Sequence, residues 1–377
     1  MTNRPYIALG SRLRPSPFYE ATRRWGAKAF TVYNHTLMPT VYDSAEADYA
    51  RITNGVTLWD VAGERQVEIS GPDAFAFTQY LTPRDLSSCA PGKCRYVLMT
   101  NQHGGVINDP VLLRLKENRF WLSAADADIL LWCQGVALNS GFDVKLTRPD
   151  VSPLQLQGPN APALAATLFG DWTSDLRYFH LRAFEYEGVP LVISRTGWSG
   201  ELGFEIYLCD GSRGDWLWER IMELGAPYGI HPAAPSAIRR LEGGLLSYGA
   251  DADMNDTPFH LGLGRLAQVN GDFDFIGKAA LLAMYDKPLS RRLTGVVLTG
   301  EPLSAPSIRW WDVLASGKRI GKVRSAVYSP SLQQNIGMAM LDAPHDVANS
   351  SFSVLTEHGS TREGMAHELP FIVSKKP

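Results

Sequence analysis

One order of elements occurs twice in the chain and constrains its fold more than any other feature. Residues 67–81, VEISGPDAFAFTQYL, predict a strand, a Gly-Pro turn and a helix, and residues 153–169, PLQLQGPNAPALAATLF, predict the same order. This internal duplication indicates two α+β units, each a sheet with helices on one face, packed against each other. The cleft between two such units is a natural ligand site.

The remaining patterns of the first 150 residues favour antiparallel strands. Residues 56–69, VTLWDVAGERQVEI, alternate like paired strands. Residues 95–115 predict two apolar strands around a Gly-Gly turn, and residues 117–126 begin another strand. Pro17 suits the first turn of a short helix, which Gly26 closes. The expected sheet is therefore rich in hairpins.

The length and a change of character along the chain predict the domains. A chain of 377 residues exceeds what one hydrophobic core usually fills. After residues 287–292, KPLSRR, short β segments such as LTGVVL, RIGKVRSAVY and NIGMAML alternate with turns. We predict two discontinuous α+β subdomains over residues 1–285 and a small β-barrel over residues 286–377.

The composition excludes several classes of protein. A formal charge of −3 gives no electrostatic reason to bind nucleic acid or an anionic membrane. Residues 1–20 lack the apolar core of a secretory signal, and no apolar run reaches the length of a membrane span. A soluble, cytoplasmic protein is expected. The four cysteines include no C-x-x-C pair, which favours buried or incidental thiols over disulfides or a zinc site.

Three segments carry chemical information: Tyr33-Asn34-His35, Asn108-Asp109 within GGVINDP, and residues 195–207, RTGWSGELGFEIY. The last resembles RTGYTGEDGFEI, the pterin-binding stretch of the glycine cleavage T-protein, an aminomethyltransferase that works on tetrahydrofolate. The resemblance runs nearly end to end: GGVINDPVLL is similar to GGIIDDLIV, and RRLEGGLLSYGADAD to LRLEAGLCLYGNDID. It implies a T-protein-like fold, with two α+β units around a folate cleft and a C-terminal barrel.

Several positions depart from the T-protein pattern. AGW has become Tyr33-Asn34-His35, GYTGEDGFE has become GWSGELGFE, and the Met of DVSHMGE has become Glu64. These changes resemble a demethylase branch of the family, which implies transfer of a sulfonium methyl group from dimethylsulfoniopropionate to tetrahydrofolate, giving methylmercaptopropionate and 5-methyltetrahydrofolate. The alternatives are a demethylase of another onium or methoxy compound, an aminomethyltransferase, and a non-catalytic folate-binding relative. The last class carries a cysteine motif late in the chain, whereas no cysteine follows Cys209 here.

The resemblance also implies roles for single residues. Asp109 matches the carboxylate that lies against the reactive nitrogens of folate, where it would stabilise positive charge developing on N5. Without the family, an Asn-Asp-Pro after Gly-Gly is typical of a turn. Glu205 matches the glutamate that accepts hydrogen bonds from the pterin. Further folate contacts are implied for Tyr96, Ser123, Arg240 and Arg324, with structural pairing to glutamates as the competing interpretation of the two arginines.

A sulfonium donor favours aromatic neighbours, because its charge sits on a soft centre with apolar methyl groups. Trp198 and Tyr207, with Tyr96, are the expected walls of the donor site, and Tyr33, Asn34 and His35 are expected to shape it. No histidine pair has metal-ligand spacing, so no metal is predicted. The expected partners are the small sulfonium substrate and folate, and a homodimer remains open.

Overall fold

The computed structural model describes residues 10–357 and 359–373. The helices are α1 (Tyr19–Arg24), α2 (Ala45–Asn54), α3 (Ala74–Tyr80), α4 (Ile129–Ala137), α5 (Ala161–Phe169), α6 (Gly214–Gly225), α7 (Ala237–Glu242) and α8 (Lys278–Met284). The strands before the C-terminal region are β1 (Arg14–Pro15), β2 (Ala29–Tyr33), β3 (Thr36–Val41), β4 (Val56–Asp60), β5 (Gln66–Ser70), β6 (Lys93–Tyr96), β7 (Met99–Thr100), β8 (Val106–Asn108), β9 (Val111–Lys116), β10 (Arg119–Ser123), β11 (Lys145–Thr147), β12 (Ser152–Gln157), β13 (Leu181–Tyr186), β14 (Val189–Ser194), β15 (Gly203–Leu208) and β16 (Ile230–Pro232).

Two large sheets organise this part of the molecule. The five-stranded sheet has the order β11-β5-β10-β9-β6, and the six-stranded sheet has the order β13-β14-β15-β12-β4-β16. All neighbours are antiparallel except β16 and β4, which run parallel. Each copy of the duplicated segment contributes one strand and the helix that follows it, β5 with α3 and β12 with α5. The predicted α+β class is confirmed.

The two sheets face each other, and helices cover their outer faces. Side chains alternate between the faces of a strand, so Phe204 and Ile206 of β15 pack in the cluster under α5 and α6. Their neighbours point the opposite way: Tyr207 packs against Trp121 of the five-stranded sheet, with ring centroids 6.0 Å apart. Glu205 shares this inner face with Tyr207. Alternation along β15 therefore directs the polar residues of RTGWSGELGFEIY into the space between the sheets.

The predicted pairing within residues 56–69 is wrong. Both strands exist, but β4 lies beside β12 in one sheet and β5 lies beside β10 in the other. Alternating polarity shows that a segment is a half-buried strand and does not identify its partner. Residues 61–65 therefore cross from one sheet to the other, which places Glu64 where the sheets meet.

The expected Gly-Gly hairpin and short N-terminal helix are both present. The Gly-Gly turn joins β7 to β8 as a hairpin, and a side chain at Gly105 would collide with the backbone carbonyl of Met254. The short helix after Pro17 is α1, which is followed by Gly26 at φ 95°. All four cysteines are free thiols, three of them buried. No helix within the described residues is long and apolar enough to cross a membrane.

The C-terminal region is a closed six-stranded barrel, as predicted. Its strands are β17 (Arg291–Leu298), β18 (Trp311–Ala315), β19 (Lys318–Ser329), β20 (Gln334–Asp342), β21 (Ser351–Leu355) and β22 (Thr361–His367), closed in the order β17-β20-β19-β18-β21-β22. Small and branched side chains such as Val296, Val313 and Ala339 fill the interior. The last helix of the preceding region, α8, ends at Met284.

Buried ion pairs attach the barrel to the rest of the chain. Asp256 pairs with Arg324 of β19 and lies 3.1 Å from Arg291 of β17. Arg240 of α7 donates to Asp251 at 2.6 Å and to Ser325 of the barrel at 2.8 Å. Both aspartates are fully buried, so each arginine is the counter-charge that allows a carboxylate to remain there.

We predict that Asp256→Asn lowers the free energy of unfolding by about 3–5 kcal/mol, because Arg324 then keeps a buried charge without its partner. Urea unfolding measures this change. Asp312→Asn is the control, since Asp312 is 42% exposed and lies 3.9 Å from an exposed Arg319; its effect should stay below about 1 kcal/mol. Equal effects of the two substitutions would contradict the role assigned to the buried pair.

Candidate functional site

Three carboxylates lie where the two sheets meet, with Glu64 within electrostatic range of both Asp109 and Glu205; we call the three the acidic site. They come from the loop before β5, the turn after β8 and the inner face of β15. None of them forms an ion pair with a cationic side chain in the part of the chain that the structure describes. The acidic site therefore has no counter-cation among the described side chains.

Asp109 is half-buried, and burial raises the pKa of its carboxyl to about 7. The hydroxyl of Tyr96 donates to its Oδ2 at 2.9 Å, which opposes the rise. The preceding Asn108 exchanges two hydrogen bonds with the backbone of Ala125, at 3.1 and 3.2 Å, and so fixes the turn. A carboxyl that titrates near neutral pH is suited to accept a proton.

Glu205 is held by hydrogen bonds on both oxygens. It accepts from Gln155 Nε2 at 2.8 Å, from the Tyr207 hydroxyl at 3.1 Å and from the Thr196 hydroxyl. Gln155 and Thr196 were not among the predicted site residues. The sequence did contain a sign of Gln155: Gln155 and Gln157 interrupt the apolar strand β12 at alternate positions, a pattern that indicates one polar face.

The glycine-containing loop before β15 is fixed against β12. Gly200 has φ 74°, a left-handed conformation that favours glycine, and Ser199 donates to Gln157 at 2.6 Å. The Trp198 indole donates to the carbonyl of Leu246 at 3.0 Å, and the Arg240 guanidinium lies 5.7 Å from its ring centroid. The backbone N–H of Trp198 donates to the Gln155 side chain at 3.5 Å. Trp198 is therefore linked through Gln155 to Glu205.

Tyrosines surround the carboxylates. Burial is the main cause that raises the pKa of Tyr33, with the charges of Glu64 and Asp109 adding to it. Tyr96 and Tyr207 are affected in the same way by Asp109 and Glu205. Tyr248, which the sequence did not single out, is also within range of Asp109, and burial raises its pKa to about 12. These phenols remain protonated at neutral pH and can donate hydrogen bonds.

The YNH segment divides between two places. Tyr33 faces the acidic site, whereas the buried Asn34 amide donates to the carbonyls of Gly63 at 3.0 Å and Ala125 at 3.1 Å. Asn34 thus anchors the loop that carries Glu64. His35 is exposed and lines a second pocket of about 100 Å³, which none of the three carboxylates lines. The structure brings together Tyr33 and the carboxylates, with Asn34 as a support.

The other predicted contacts also have definite places. Ser123 accepts from Gln66 at 3.0 Å and lies within hydrogen-bonding range of the Tyr207 hydroxyl. Arg240 and Arg324 are bound to Asp251 and Asp256, so structural pairing describes both arginines, although with aspartates rather than glutamates.

A larger cavity, of about 850 Å³, lies elsewhere, beside α3 and α4, and is lined mainly by aromatic and apolar side chains. We favour the acidic site over this cavity because titratable groups with perturbed pKa values converge there. No three His, Cys, Asp or Glu side chains among the described residues are placed to hold a metal ion.

Comparison with known proteins identifies the family of the chain. The family model of the GCVT N-terminal domain matches residues 18–271, and that of the glycine cleavage T-protein C-terminal barrel domain matches residues 291–372. The chain is 41% identical to the dimethylsulfoniopropionate demethylase of Ruegeria pomeroyi, over 94% of this chain and 97% of that protein. It is 30% identical to an aminomethyltransferase of Caldanaerobacter subterraneus, over 91% of this chain and 92% of that protein.

A solved structure shows the same architecture. The glycine cleavage system aminomethyltransferase T of Bartonella henselae superposes with a TM-score of 0.86 at 26% identity, covering 97% of this chain and 99% of that one. Sequence, both domain models and the fold lead to one conclusion: the chain belongs to the glycine cleavage T-protein family.

Proposed function

We propose that the protein is a tetrahydrofolate-dependent demethylase that transfers a methyl group from dimethylsulfoniopropionate to tetrahydrofolate. The 41% identity to a dimethylsulfoniopropionate demethylase over nearly the whole chain supports this activity over the 30% identity to an aminomethyltransferase. The structural observation that carries the proposal is the acidic site, whose three carboxylates have no cationic partner among the described side chains. Such a site favours a positively charged substrate.

The reaction moves positive charge across the site. The N5 amine of tetrahydrofolate attacks a methyl carbon of the sulfonium; the C–S bond breaks, and its electron pair leaves on sulfur as a neutral thioether. N5 becomes cationic and then loses its proton, giving 5-methyltetrahydrofolate and methylmercaptopropionate. Only contacts that are stronger in the transition state than in the ground state accelerate this step. A carboxylate beside N5 satisfies this condition, since the charge there appears only as the reaction proceeds.

Asp109 fits the position beside N5. Its ionised form stabilises the developing cation, and its raised pKa makes it a suitable acceptor for the N5 proton. Glu205 is oriented by three hydrogen bonds and is the proposed acceptor for the pterin N–H groups. Its donor Tyr207 lies next to Ser123, which accepts from Gln66. Trp198, Tyr96 and Tyr33 offer aromatic faces to the sulfonium. Four free cysteines suit a reducing compartment, which supports a cytoplasmic location.

We expect the purified protein and tetrahydrofolate to convert dimethylsulfoniopropionate into equal amounts of 5-methyltetrahydrofolate and methylmercaptopropionate. Liquid chromatography measures both products. Glycine betaine should react far more slowly, because a tertiary amine leaves less readily than a thioether. Methylmercaptopropionate should donate no methyl group. Faster turnover of an aminomethyl-lipoyl protein would instead support an aminomethyltransferase.

Asp109→Asn should lower kcat more than it changes KM, because the carboxylate acts chiefly as N5 becomes cationic. In the unsubstituted protein kcat/KM should rise as the pH passes about 7, the pKa of Asp109, and this step should vanish in Asp109→Asn. The steady-state pH profile of both proteins measures this. A rise in KM with kcat intact would contradict the assignment.

Thermal unfolding separates this effect from loss of the fold. The folded pKa of Asp109 lies above the ordinary value of 3.8 for this side chain, so its stabilising proton is retained at acid pH and lost as the pH rises through about 7. Asp109→Asn should therefore be as stable as the unsubstituted protein below pH 4 and equally or more stable above pH 7. The exposed Asp312→Asn serves as the control. A sharp fall of the Asp109→Asn midpoint would assign the loss of activity to unfolding.

A further inference from the structure

Glu64 faces the same space as the other two carboxylates. The ladder between β5 and β10 extends one residue beyond β5, since Ala124 N–H donates to the Arg65 carbonyl at 3.1 Å. Gln66 and Glu68 turn toward the space between the sheets, where Gln66 bonds to Ser123. Arg65 lines the second pocket on the opposite side, whereas the Glu64 carboxyl lies within electrostatic range of Glu205, Asp109 and Tyr33, which share the space between the sheets.

The Glu64 carboxylate differs from its two neighbours because it has no partner in the protein. Asp109 and Glu205 accept side-chain hydrogen bonds on their carboxylates, whereas no side chain within residues 10–357 and 359–373 donates to the Glu64 carboxylate or pairs with it. Buried carboxylates are normally hydrogen-bonded or paired. Glu64 is half-buried, and its carboxylate has neither kind of partner, so it is available to a ligand.

The backbone that presents this carboxylate is fixed. Glu64 N–H donates to the Val61 carbonyl at 2.8 Å, and its own carbonyl accepts from Gln66 Nε2 at 2.6 Å. The carbonyl of the preceding Gly63 accepts from Asn34. The Tyr33 ring packs against Gly63, where an added Cβ would lie 3.0 Å from Tyr33 Cβ. An aromatic ring and an unpaired carboxylate thus stand side by side, the combination that suits an onium group.

Electrostatics point to the same kind of ligand. Burial, and after it the charges of Glu205 and Asp109, raise the pKa of Glu64 well above its usual range. The groups that face it are these two carboxylates and the phenols of Tyr33 and Tyr207, none of which is cationic. A cation bound here restores the charged form of Glu64 by supplying the missing counter-charge.

We propose that Glu64 contacts the positively charged centre of the methyl donor and makes the site prefer a cation over a neutral molecule of the same shape. This inference rests on the proposed demethylase function. Glu64 stands where the T-protein motif DVSHMGE has an uncharged Met, which fits a residue that adapts the common fold to a different donor. Because the contact is made to the sulfonium before the charge moves to N5, it contributes to donor binding rather than to kcat.

The test is Glu64→Gln, which keeps the shape of the side chain and removes its charge. We expect KM for dimethylsulfoniopropionate to rise about tenfold or more, the loss of a favourable charge contact of about 1.4 kcal/mol, while kcat stays the same or increases. Calorimetry should show unchanged affinities for tetrahydrofolate and for the product methylmercaptopropionate, whose sulfur is uncharged. Glu185→Gln makes the same charge change at an exposed position of β13 and should leave all four values unchanged.

Two outcomes would overturn the inference: an unchanged KM, or an equal loss of affinity for the sulfonium and for the neutral thioether. The second outcome would indicate a role in shape alone. If Glu64→Gln folds poorly, as judged by thermal unfolding, Glu64→Met is the second variant and should show the same selective loss. Failure of the unsubstituted protein to demethylate dimethylsulfoniopropionate would refute the proposed function itself, so the two failures are distinguishable.

Discussion

The burial of negative charge without a matching cation is the constraint on which the site depends. An isolated buried carboxylate is strongly unfavourable unless it is hydrogen-bonded, paired or protonated. Glu205 is hydrogen-bonded on both oxygens, Asp109 is hydrogen-bonded to Tyr96, and burial raises the pKa values of Asp109 and Glu64 toward the neutral form. Hydrogen bonds and raised pKa values thus lower the cost of burying these carboxylates. A ligand or transition state that carries positive charge lowers the remaining electrostatic cost.

The neighbouring arginines explain why this charge persists. Arg240 and Arg324 lie near the site but are bound by Asp251 and Asp256, and Arg239 is bound by Glu201 and Glu242. These pairs attach the barrel and α7 to the sheets, so the same carboxylates that stabilise the assembly also keep the arginines away from Glu64, Asp109 and Glu205. The ion pairs that attach the barrel thus also leave the acidic site without a cationic partner.

Sequence patterns predicted the parts of this structure that depend on local periodicity or on a matched motif. The duplicated β5-α3 and β12-α5 segments and the barrel strands follow from periodicity and turn residues, and Asp109 and Glu205 were found through the T-protein motifs. The partner of β4 could not be predicted, because alternation carries no information about which strand lies alongside. Thr196 was missed because its hydroxyl reaches Glu205 only when β14 and β15 pair within their sheet. Tyr248 was missed because it gains its place only when the barrel packs against the rest of the chain.

The T-protein fold is shared with aminomethyltransferases, and a fold alone does not determine the reaction. The central claim is that the acidic site recognises positive charge. The most direct measurement compares dimethylsulfoniopropionate with 4-methylpentanoate, its neutral-centred carbon analogue of nearly the same shape, by calorimetry on the unsubstituted protein. The account predicts that the sulfonium binds at least about ten times more tightly, the equivalent of one cation–π or charge contact. Equal affinities for the two compounds would contradict it.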